Sequence, residues 1–67
     1  MKKIKSLDAN HYTVIVRFDM EWEEYTVDVW RHSSQRWVHD ATYYTSELDD
    51  AIDTAKAMAT IYTLKGE

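Results

Sequence analysis

The chain predicts an α+β domain: a three-stranded antiparallel β-meander followed by one C-terminal α-helix packed on one face (βββα). Three observations carry that prediction. Apolar residues alternate with polar ones from residue 11 onward, apolar positions switch to spacings of three and four after residue 47, and the alternating runs are separated by short polar connections. Sixty-seven residues make one domain, residues 1–67, near the lower size at which an unstapled core offsets chain entropy. With no Cys, stability must come from apolar packing, with a partner or a second copy as the available supplements.

Residues 1–10 hold no sustained period and close on Asp8-Ala9-Asn10, a cluster that favours a turn. They are read as a lead-in that could pair at a sheet edge. The sheet itself is assigned to residues 11–44. In its first strand Tyr12, Val14, Val16 and Phe18 point one way, while His11, Thr13, Ile15, Arg17 and Asp19 point the other. Tyr25, Val27 and Val29 repeat the pattern with Thr26, Asp28 and Trp30 opposite, and β-branched and aromatic content supports a second strand. The connection between them lacks Gly and Asn, so a tight turn with positive φ is disfavoured and a longer loop near residues 19–24 is expected, with Trp22 at its apex.

His32-Ser33-Ser34-Gln35 reads as a loop of about four residues, and a third strand follows over residues 37–44. Either Trp37, His39, Ala41 and Tyr43 or Val38, Asp40, Thr42 and Tyr44 face the core; the first set is preferred because it buries no carboxylate. The helix is assigned to residues 46–64. Thr45-Ser46 offers a hydroxyl N-cap, and Glu47, Asp49 and Asp50 suit the positive end of the helix dipole. Leu48, Ala51, Ile52, Ala55, Met58, Ala59 and Tyr62 form one apolar stripe, with Lys65 near the end and Gly66 as a stop signal.

The net charge of −4 hides an asymmetry. Residues 19–53 carry ten carboxylates against Arg31 and Arg36, a local balance of −8, and the remainder carries +4. An acidic middle repels phosphate, which argues against nucleic acid and in favour of a protein partner with a basic surface. Trp22, set among Asp19, Glu21, Glu23 and Glu24, has the composition of an interface anchor with a charged rim. One helix covers one sheet face, so Ile15 and Trp30, with Thr13, Arg17, Thr26 and Asp28, are expected on the other, which a second copy could cover. Neither a signal peptide's apolar run of about 7–15 residues nor a span of about 20 is present, and the expected compartment is the cytoplasm.

Chemistry is not indicated. Three His lack zinc spacing, Ser33, Ser34 and Ser46 have turn and cap roles, no Gly-rich phosphate loop exists, and so neither metal, cofactor nor catalysis is expected.

The run Tyr44-Thr45-Ser46-Glu47-Leu48-Asp49-Asp50-Ala51-Ile52-Asp53-Thr54-Ala55 following three strands resembles the strand-to-helix pattern of HicB-type antitoxins. It is equally similar to small phage proteins that inhibit bacterial RNA polymerase. The Gly- and Pro-containing segment of the antitoxin's third strand has no counterpart here, and no family residue is carried over. Both resemblances imply a small fold that works by occupying another protein's surface.

The expected function is therefore a small acidic, non-enzymatic interaction module, an inhibitor of the phage- or plasmid-borne kind that covers a basic surface, with nucleic-acid mimicry as its sharper version. Trp22, Asp19, Glu21, Glu23, Glu24, Asp28, Trp30, Glu47, Asp49, Asp50 and Asp53 are the candidate partner-binding residues. The alternatives are a sheet-borne nucleic-acid binder, using Arg17, Arg31, Arg36, Lys2, Lys3 and Lys5 with Trp30 or Trp37, and a structural homodimer with no activity of its own.

Overall fold

The computed structural model describes residues 2–65. In chain order these form β1 (Lys2–Ala9), β2 (Tyr12–Asp19), β3 (Glu24–Arg31), β4 (Arg36–Trp37), a 3₁₀ turn (His39–Ala41), β5 (Tyr43–Thr45) and α1 (Leu48–Lys65). The fold is α+β, with every strand pair antiparallel in the order β1-β2-β3-β4 and β5 sharing the outer edge of β3.

Two elements differ from the sequence expectation. The lead-in is a full edge strand, β1, paired along β2 from Lys2 opposite Phe18 to Ala9 opposite Tyr12, with a bulge between Lys3 and Lys5. Asn10 allows its tight return by taking φ of 64°, a left-handed conformation that Asn tolerates well. The single third strand is instead two short ones separated by the 3₁₀ turn. That turn changes the phase of the alternation. Trp37, assigned to the core face, lies opposite Trp30 on the far face, whereas Val38 and Ala41 pack against the core. The two candidate sets thus mix.

The helix begins at Leu48 rather than at residue 46. Its cap is Glu47, whose carbonyl accepts from the Ala51 amide at 3.0 Å. The Thr45 hydroxyl acts one step earlier than a cap would, accepting from the Glu47 amide at 3.2 Å. The stop signal assigned to Gly66 lies outside the described residues.

Helix and sheet meet through small side chains. Val14, Val16, Val27 and Val29 are fully buried, and they face Ala51 and Ala55, which are buried too. Two alanines one turn apart let the helix axis approach the sheet closely. Tyr12 closes the layer at one end by packing on Tyr62, ring centroids 4.8 Å apart, and Phe18 packs on Tyr25 at the other. A larger residue at the contact has nowhere to go. Ala55→Leu should lower stability by about 1–3 kcal/mol, whereas Leu at the exposed Ala57 should leave it within about 0.5 kcal/mol, as read from urea unfolding midpoints at constant m-value.

Candidate functional site

The β2–β3 connection is the four-residue loop 20–23, closed by the pairing of Asp19 with Glu24. Without Gly, the left-handed position falls to Glu23 at φ 50°, which costs about 1 kcal/mol. Asp19 offsets that cost. Its Oδ1 accepts from the Glu21 amide at 3.0 Å and from the Trp22 amide at 3.4 Å, so the loop backbone is braced from within. The side chains at the apex touch little: Trp22 is 74 % and Met20 75 % exposed.

The same end of the molecule holds the helix start. Thr45 pairs with Tyr25, the residue next to Glu24, and the chain passes from Thr45 through Glu47 into α1. Glu21, Glu23 and Glu24 of the hairpin therefore share one end of the fold with Glu47, Asp49, Asp50 and Asp53. Glu21, Glu23, Glu47, Asp49 and Asp53 are exposed. Asp50 is engaged, accepting from the Tyr43 hydroxyl at 2.7 Å.

That bond shifts both groups. It is the main reason the Asp50 carboxyl lies below the ordinary carboxylate range, with Thr45 assisting. It also pushes the Tyr43 phenol up, aided by desolvation and the nearby Asp50 charge.

Asp28 and Trp30 lie elsewhere, on the sheet face away from the helix. Asp28 is 7 % exposed, bound at Oδ2 by Arg17 Nη2 at 2.6 Å and at Oδ1 by the Thr42 hydroxyl at 3.1 Å. The Arg17 guanidinium also sits 4.7 Å from the Trp37 ring centroid, and Trp37 meets Trp30 edge-on at 4.9 Å. Trp30, Trp37, Arg17, Asp28 and Thr42 thus hold one another, and Asp28 is no part of the acidic end.

Sequence reading missed three arrangements. The Arg17 to Asp28 pair is diagonal across β2 and β3, and the loop length that fixes Asp19 opposite Glu24 would have revealed it. The Tyr43 to Asp50 bond depends on the phase change at the 3₁₀ turn. Arg31 opposite Arg36 follows from the four-residue loop between them.

Among the described residues no group of three or more His, Cys, Asp or Glu is placed to hold a metal ion, and no helix is long and apolar enough to cross a membrane. Comparison with protein-family models, with curated proteins and with solved structures gives no match.

The Tyr43 to Asp50 contact makes a prediction about pH. A lowered Asp50 value contributes stability that is present above its unfolded value and lost as pH falls through the folded one. A raised Tyr43 value contributes stability that is present below its unfolded value and lost as pH rises through the folded one. The contact therefore holds across neutral pH and fails at both extremes. Tyr43→Phe should move the Asp50 titration midpoint upward, toward ordinary carboxylates, in a carbon-detected NMR titration; an unmoved midpoint would show that the hydroxyl does not set it.

Proposed function

We propose that the protein is a non-enzymatic interaction module that covers a basic surface of another protein with the end of the fold bearing Trp22. The observation that carries this reading is the pair of exposed apolar side chains, Trp22 and Met20, on a loop braced by Asp19 and rimmed by Glu21, Glu23 and Glu24. Trp is enriched among residues that dominate binding energy, and holding its loop rigid before binding lowers the entropic cost of association. Around it, carboxylates of the hairpin and helix start outnumber Lys2 and Lys3 of β1 and supply a net negative field that speeds encounter with a cationic partner.

The sharper form is an inhibitor of the phage- or plasmid-borne kind, in which Glu21, Glu23, Glu47, Asp49 and Asp53 stand where phosphates would stand on a nucleic-acid-binding surface. Its support is the shared location of these carboxylates, and affinity should fall as salt rises. Binding that ignores salt would remove the mimic and leave the anchor. A sheet-borne nucleic-acid binder has less support, because Arg17 is committed to Asp28 and to the Trp37 ring. A homodimer through the open sheet face has less support, since Trp30 and Trp37 pack on each other there and leave Tyr44 as its exposed aromatic.

Capture of partners from a bacterial lysate, with mass spectrometry, tests the reading when wild type and Trp22→Ala are run side by side. The substitution should leave folding stability within about 0.5 kcal/mol and weaken partner binding by about 2 kcal/mol or more. Equal affinity of the two proteins for a captured partner would show that the tip is not the anchor.

A further inference from the structure

At the end of the sheet opposite the acidic tip, β3 and β4 place Arg31 directly across from Arg36. Side chains opposite each other in an antiparallel pair share a face, and like charges in that position repel. Among the described residues no carboxylate is recorded in an ion pair with either guanidinium. Arg31 is half-buried, and its Nε–H is buried without a hydrogen-bond partner. A buried donor left unmade is unfavourable by itself.

Arg31 and Arg36 border an open groove of about 550 Å³ together with Ser34, Trp37 and Val38. The groove thus brings together two arginines on one sheet face and a serine from the loop that joins their strands. Guanidinium geometry matches the oxygens of a phosphate, and a dianion between two arginines turns a repulsion into two attractions.

We infer that this groove is an oxyanion site that takes a phosphate group, held between Arg31 and Arg36 with the Ser34 hydroxyl as a third donor. It is separate from the Trp22 end and does not depend on the function proposed for that end. The ligand is a free phosphate or phosphate monoester rather than a nucleic-acid backbone. Polymer binding draws on about 6–10 phosphate contacts, and two arginines in a chain of net charge −4 do not supply them.

The test is an NMR titration of the labelled full chain with sodium phosphate at constant ionic strength, chloride being exchanged for phosphate. Saturable shifts are expected at Arg31, Ser34 and Arg36, with a Kd on the order of 1 mM. Arg36 is exposed, so Arg36→Gln should keep the native spectrum while weakening phosphate at least about tenfold, the loss of one charge-assisted pair. Arg36→Glu should abolish binding and raise the thermal midpoint, because it gives Arg31 a counter-charge. Shifts that centre on Lys2, Lys3 and Lys5, or an Arg36→Gln protein that titrates like wild type, would overturn the site. A parallel titration with a short single-stranded oligonucleotide separates the sources. Tighter binding of the oligonucleotide at the same residues would overturn the assignment to free phosphate, and weaker or absent binding supports it.

Discussion

The fold depends on the close approach that Ala51 and Ala55 allow between α1 and the four buried valines of β2 and β3. Because the contact uses small residues on both sides, one helix seals the face of the two longest central strands, and the rest of the molecule is arranged around what it cannot reach. The far sheet face must stabilise itself, and it does so with polar chemistry. Arg17 bridges Asp28 and the Trp37 ring, Trp37 leans on Trp30, and Thr42 takes the remaining Asp28 oxygen. Instead of an apolar surface awaiting cover, the face is a layer of aromatic and paired charged groups. The exposed Trp22 and Met20 and the Arg31 and Arg36 pair lie at the ends of the hairpins.

Those ends expose different groups. One carries Trp22, Met20 and the carboxylates of the hairpin and helix start, with Lys2 and Lys3 of β1 beside them; the other carries Arg31, Arg36 and the helix end with Lys65. Helix dipole and side chains agree at both ends of α1, with Asp49 and Asp50 in its first turn and Lys65 in its last. The strand register fixes which groups meet at each end. Loop 20–23 cannot slide without moving Val14 and Val16 out of the core.

How legible this was in the sequence varies with burial. The alternation of Tyr12, Val14, Val16 and Phe18 was plain because those residues line a buried face. Strand β1 was not, since all of its residues but Leu7 and Ala9 are exposed, Lys2, Lys3 and Lys5 guard its exposed edge, and the bulge interrupts its period. The two competing sets in residues 37–44 were a real signal of trouble: neither is wholly apolar, and the 3₁₀ turn resolves the conflict by changing phase. The tip at Trp22 could be placed from the missing Gly alone. The fate of Asp28 could not be placed from composition, because a carboxylate on an alternating strand looks solvated until the register sets Arg17 diagonally beside it.

The central claim is that the Trp22 ring is held out into solvent by a braced loop instead of folding back on the sheet. Water exchange of the three indole Nε1–H groups in the free protein measures this directly, with Trp22 assigned by its loss in Trp22→Phe. The account predicts that the Trp22 signal exchanges with water faster than those of Trp30 and Trp37, which pack on each other. A Trp22 indole protected as well as the other two would contradict it.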